Sequence, residues 1–230
     1  MKTLGLIGGM SWESSKVYYE LINKKANKFA GGFNSCKSIL YSVDFAKIEH
    51  YQTQNNFKKL NEIMIDAAVK LEKSGADLLI LCTNTMHLCF DAISKNISVP
   101  FLHIADATGE AITQQNIKNI GLSGTNFTME EDFYKTVIKN NYHINTIIPE
   151  KNDCYIIHDT IYNELVHGKI KEQSKENFKH IIKKLAMKGA EGIILGCTEI
   201  PLLISSDDSE IPIFETTKIQ AEKVAELILE

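Results

Sequence analysis

The chain has 230 residues, 44% hydrophobic and 23% charged, with 29 acidic against 25 basic side chains and a formal net charge of −4. That composition excludes disordered and collagen-like chains, and the length suits one large domain or two small ones. No apolar run approaches the roughly 20 residues that span a bilayer, and the start turns glycine-rich and polar too early for a signal peptide, so a soluble, uncleaved, cytoplasmic protein is expected.

Apolar runs at 3–7, 38–43, 77–81 and 99–103 read as buried strands, followed in the second half by 119–123, 144–148, 192–195 and 211–214. Helical spacing fills 12–29, 55–73, 129–139, 174–187 and 216–229. The alternation predicts an α/β fold with parallel sheets and helices on both faces. Segment 2–9 resembles 118–125, 75–85 resembles 189–199 and 99–102 resembles 211–214, each pair about 115 residues apart and in the same order. Two pseudo-symmetric Rossmann-like, flavodoxin-like lobes are therefore expected, one from residues 1–104 plus 206–230 and the other from 105–205. Ligands of open parallel sheets bind beyond the carboxyl ends of the strands. Residues 8–11, 83–85, 124–126 and 196–199 each follow a predicted strand and open a predicted helix, so two facing lobes would enclose a small active site between them.

The sequence contains no arginine, so an anion must be held by lysines, hydroxyls or backbone N–H groups. Scattered lysine in a mildly acidic chain argues against a nucleic-acid partner. Five cysteines, Cys36, Cys82, Cys89, Cys154 and Cys197, are odd in number and lack CxxC pairs, which suits reduced thiols. Cys197 is the sharpest feature: at a helix N-terminus, aligned N–H groups would favour its thiolate. Aligning the halves puts Cys197 opposite Thr83 and Gly196 opposite Cys82; strand alternation then sends Cys82 to the core and Thr83 to the cleft. Asn84, Thr85, Thr125 and Thr198 could bind a carboxylate or serve as helix caps, and Glu199 could receive a substrate ammonium. The glycine-rich start lacks dinucleotide spacing, no His/Asp/Glu spacing suggests a metal, and His87 and His103 read as structural.

GLIGGMSWES at 5–14, LCTNTMH at 81–87, LHIADATG at 102–109 and LGCTEI at 195–200 resemble the signatures of the aspartate/glutamate racemase family. The resemblance implies two similar lobes, no cofactor, commonly a homodimer, and inversion of an amino acid's Cα by two facing cysteines. Thr83 stands where the family usually has the first cysteine, so the chain resembles a variant subgroup with Thr83 and Cys197 as the catalytic pair. In that reading Cys197 takes the Cα proton of L-aspartate or L-glutamate and the Thr83 side returns one. Glu199, where glutamate racemases typically carry histidine, favours the aspartate branch. The resemblance also implies Met10, Gln52, Asn84, Thr85, Thr125, Glu164, Thr198 and Glu199 as contacts to a small amino-acid substrate. Two other readings share these residues: a superfamily decarboxylase or cis-trans isomerase of a small dicarboxylate, and a non-catalytic amino-acid-binding protein.

Overall fold

A computed structural model describes residues 1–229. The chain forms two compact units, one from Met1–Ile104 together with the chain from Gln220, the other from Ala105–Ile219. Among the described residues, the first unit has a parallel sheet of three strands, β2 (Ser38–Ser42), β1 (Leu4–Gly8) and β3 (Leu78–Leu81) in that order. The second has four parallel strands ordered β5 (Asn145–Ile147), β4 (Asn119–Gly124), β6 (Ile193–Gly196) and β7 (Ile213–Glu215). Residues 206–219 thus belong to the second unit rather than to the first lobe, because β7 is hydrogen-bonded to β6 in register from Ile193↔Ile213 to Leu195↔Glu215. The expected strand at 99–103 is a single bridge, Leu79↔Phe101. Pro100 offers no N–H, so the pairing is limited to Leu79 N–H on Pro100 O and Leu102 N–H on Leu79 O. No helix among the described residues is long and apolar enough to cross a membrane.

The repeat seen in the sequence has a physical counterpart in each unit. Helix α3 (Phe57–Lys73) buries Leu60, Met64, Ala67, Ala68 and Leu71, and α9 (Glu172–Met187) buries Ser174, Phe178, Ile181, Ile182 and Leu185 at identical spacing. Both helices end at a left-handed glycine, Gly75 at φ 90° and Gly189 at φ 96°, a conformation that L side chains resist. The next acid then closes the repeat: Asp77 Oδ2 accepts from Thr3 N–H at 2.6 Å, and Glu191 Oε2 accepts from Lys118 and Asn119 N–H at 2.7 and 2.8 Å. Strand β1 is buried on both faces. Leu4 and Leu6 pack with Tyr18 of α1 (Trp12–Ala30) and Val224 of α10 (Thr216–Leu229), whereas Ile7 packs with Leu60 and Met64 of α3. The alternation continues through β3, where Ile80 and Cys82 join the first cluster and Leu79 and Leu81 the second, so Cys82 is core.

Beyond β3 a 3-10 turn (Thr85–Cys89) leads into α4 (Phe90–Ser94). Here His87, Phe90, Phe101 and His103 gather, with ring centroids 4.6 Å apart for His87–His103 and for Phe90–Phe101, and 4.5 Å for Phe90–His103. Burial keeps both imidazoles neutral. It pulls His103 from 6.5 down to about 4. His87 lies well below its usual value through burial and then the neighbouring His103, against the opposing pull of nearby carbonyls.

Two outcomes follow from this packing. At Gly5 a Cβ would press on the Leu79 side chain and come within 2.9 Å of Ala76 Cβ, so Gly5→Val should destabilise by about 1–3 kcal/mol in denaturant melts, with an unchanged cost at an exposed control site. A histidine neutral when folded but free to charge when unfolded stabilises fully above about 6.5, and the effect is lost as pH falls through the folded value near 4. His103→Phe should therefore shrink the drop in unfolding free energy between pH 7 and about pH 4.5 by about 2 kcal/mol; parallel pH profiles for the two proteins would show that the ring is not held neutral.

Candidate functional site

In the first unit, the loop after β1 and the turn after β3 are knitted by serines. Ser11 caps α1 by accepting from Ser14 N–H at 3.3 Å, and Ser15 Oγ accepts from Gly9 N–H at 2.8 Å while donating to Ser11 O at 3.1 Å. The Ser14 hydroxyl is left to donate to Cys82 O at 2.7 Å. The following carbonyl, that of Thr83, accepts from His87 Nδ1–H at 2.8 Å, and the other ring nitrogen, Nε2, accepts from Ile104 N–H at 3.1 Å. A carbonyl can only accept and an amide N–H can only donate, so the partners themselves set this tautomer. Thr83, Asn84 and Thr85 are all buried on this turn. Met10 packs with Met86 and Ile48 in one cluster. Gln52, on helix α2 (Phe45–Thr53), donates Nε2–H to Met86 Sδ at 3.2 Å, and its Oε1 is buried with no hydrogen-bond partner among the described residues. The structure thereby brings Met10, Gln52 and the 83–86 turn together.

In the second unit the ladder does the positioning. Gly124 pairs with Gly196, so the residues that follow, Thr125 and Cys197, leave neighbouring strands side by side. Thr125 caps α6 (Asn126–Glu130) by accepting from Thr128 N–H at 3.3 Å, and Asn126 N–H donates to His158 Nδ1, on α8 (Lys151–Asn163), at 3.2 Å. Asn126 Oδ1 is a further buried acceptor with no partner among the described residues. The Cys197 thiol donates to Glu199 Oε2 at 2.9 Å, and Thr198 Oγ1 donates to the same oxygen at 2.7 Å.

Cys197 departs from the sequence expectation. No α-helix opens there; the chain makes only a short 3-10 turn, Ile200–Leu202, in which Pro201 supplies no N–H. The thiol is raised well above its ordinary range, first by burial, then by the Glu199 carboxylate that it faces, and the backbone N–H groups of Thr198 and Glu199 offset only part of this. The resting sulfur is a protonated thiol rather than a ready thiolate. Thr83, too, is followed by a 3-10 turn and not directly by an α-helix. Glu164, expected to meet substrate, sits at the end of α8 with Oε1 on Lys171 Nζ at 2.9 Å and Oε2 accepting from Ser174 Oγ at 2.6 Å; these partners hold its carboxyl below the usual range. No group of three or more His, Cys, Asp or Glu among the described residues is placed to hold a metal ion.

Four residues at these turns were absent from the sequence-derived site: Ser14, His87, Asn126 and His158. His87 stands four residues after Thr83, one helical turn, and that spacing was the available signal; Ser14 and His158 reach their partners only through tertiary packing.

Comparison with known proteins agrees with this architecture. The chain is 44% identical, over the whole of both chains and with a TM-score of 0.95, to a Yersinia pestis crystal structure provisionally called an Asp/Glu racemase. It is 32% identical, again over both entire chains and with a TM-score of 0.87, to an aspartate racemase homologue from Pyrococcus horikoshii. It is 25% identical over 241 aligned positions, 98% of either chain, to the broad specificity amino-acid racemase RacX of Bacillus subtilis. These relatives support an amino-acid racemase activity, and a sequence profile described as Asp/Glu/Hydantoin racemase matches residues 7–224: the chain belongs to that family.

Proposed function

We propose that this protein is a cofactor-independent racemase of aspartate, glutamate or both, in which Cys197 removes the Cα proton of the L-enantiomer and the Thr83 side returns one to the opposite face. The observation that carries the reading is the Cys197–Thr198–Glu199 cluster, a thiol and a hydroxyl converging on one carboxylate oxygen beside Thr125. Removal of a Cα proton needs a base, and a thiolate is one. Glu199 holds the sulfur protonated while the site is empty. An amino acid brings an ammonium, and Glu199 is the anion available to receive it. Once that cation offsets the carboxylate, the second cause of the raised thiol, after burial, is relieved and the thiol proton can pass to solvent. The sulfur then takes the Cα proton. Donors around the α-carboxylate, supplied by Asn84, Thr85, Thr125 and Thr198, stabilise the charge that develops. A threonine hydroxyl is too weak an acid to rest as an anion, so Thr83 acts as a relay, giving its proton to carbon as it accepts another from a hydrogen-bonded solvent water. Met10 and Gln52, which meet Met86 within the first unit, are further candidate contacts. Glu164, already engaged by Lys171 and Ser174, has little left to offer an anionic side chain. A homodimer is the state the family resemblance suggests, and the unpaired cysteines suit a reducing cytosol.

Cys197→Ser should abolish Cα-proton exchange of L-aspartate and L-glutamate in deuterated water, read by NMR; exchange near the parent rate would remove Cys197 from the mechanism. Parent protein that binds an amino acid, seen as a melting shift, without any exchange would select a binding protein instead. Thr83→Cys should speed turnover from the D-enantiomer, and an unchanged rate would count against Thr83 as its partner. Glu199→Gln removes the negative charge facing the sulfur, so the pH midpoint for alkylation of Cys197, followed by mass spectrometry, should move down; a midpoint that stays or rises would refute the assigned cause of its raised pKa.

A further inference from the structure

We propose that His87 is a positioning residue for Thr83: through its Nδ1–H, donated to the Thr83 carbonyl at 2.8 Å, it aims the Thr83 hydroxyl during reprotonation. The inference rests on the racemase reading above and adds a component to it.

Both nitrogens of the ring are committed, Nδ1 as donor to Thr83 O at 2.8 Å and, more weakly, to Asn84 O at 3.3 Å, and Nε2 as acceptor from Ile104 N–H at 3.1 Å. With 1% of its surface exposed, and His103, Phe90 and Phe101 against it, the imidazole has no nitrogen available to exchange protons with a substrate. A direct acid–base role is therefore excluded by geometry, and what remains is mechanical. The peptide units flanking Thr83 are gripped from two sides, Cys82 O by the Ser14 hydroxyl at 2.7 Å and Thr83 O by His87. Thr83 lies just past the end of β3, outside the ladder that steadies the preceding residues. The last ladder bond is Cys82 N–H on Ile7 O at 2.9 Å, and beyond it these two side-chain donors fix the next two carbonyls. A relay hydroxyl is also more demanding than a thiolate, since both its donated proton and its accepted one must be aligned in the same step.

The test uses two amide replacements that split the ring's contacts. Asparagine places an N–H close to where Nδ1–H lies and can keep the bond to Thr83 O. Glutamine reaches instead to the Nε2 position and can accept from Ile104 N–H while giving up Thr83. With L-aspartate or L-glutamate in deuterated water, two products are followed: deuterium in recovered L-amino acid, which reports Cys197 alone, and deuterated D-amino acid, which also requires delivery from the Thr83 side. In His87→Gln, D-product should fall at least about tenfold relative to L-exchange, whereas His87→Asn should keep the ratio within about threefold of the parent, in line with the steep cost of small displacements of a reacting group. Ser14→Ala should shift the ratio in the same direction as His87→Gln. A merely structural role would lower both products together, leaving the ratio unchanged, and that result in His87→Gln would overturn the proposal even if the variant were partly unfolded. Equal losses of D-product in the asparagine and glutamine variants would also overturn it, by removing the Thr83 bond as the cause. Parent protein with no exchange and no inversion would overturn the racemase reading itself, and the role of His87 with it.

Discussion

Parallel strands joined through helices deliver all their carboxyl ends to one edge of the sheet, and the candidate chemistry in each unit depends on that constraint. In the second unit the consequence is direct: the Gly124↔Gly196 pair sets Thr125 and Cys197 side by side at the ends of neighbouring strands. In the first, the same edge carries the serine-rich start of α1 and the turn after β3, and Ser14 joins them through Cys82 O. Burial of the central strands on both faces leaves little freedom in register, since a slip of one residue would exchange the two faces.

The sulfur is governed by its immediate neighbour more than by backbone dipoles. Burial first, and then a carboxylate 2.9 Å away, outweigh two favourable N–H groups, so the sulfur rests as a thiol. The remaining cysteines lie in the cores; burial pushes Cys36 and Cys154 up to about 11 and Cys89 up to about 12, which fits packing roles.

Much of this is legible in the order of the residues. Hydrophobic runs located both sheets, and the repeated Gly-Ala-acid motif identified positions that prove equivalent: a left-handed glycine closing a helix, then an acid that grips the start of the neighbouring strand. The face of Cys82 followed from aligning the two halves and applying strand periodicity. The errors have local causes. At 99–103 an apolar run resembled a strand, but Pro100 cannot donate to a ladder. At 206–219 the repeat did not show that β7 would pair with β6. Cys197 lay where a helix was expected, yet the chain makes only a short 3-10 turn there.

By itself, then, the sequence determined the α/β class, the duplication, the family signatures and the short list of reactive side chains, because periodicity and spacing are properties of neighbouring residues. Tertiary structure alone decided the protonation state of Cys197, the commitment of Glu164 to Lys171 and Ser174, and the anchoring of the Thr83 turn by His87 and Ser14. Each of these depends on burial and on partners that fall within a few ångströms only after folding, and neither desolvation nor a hydrogen-bond partner is written in the order of the residues.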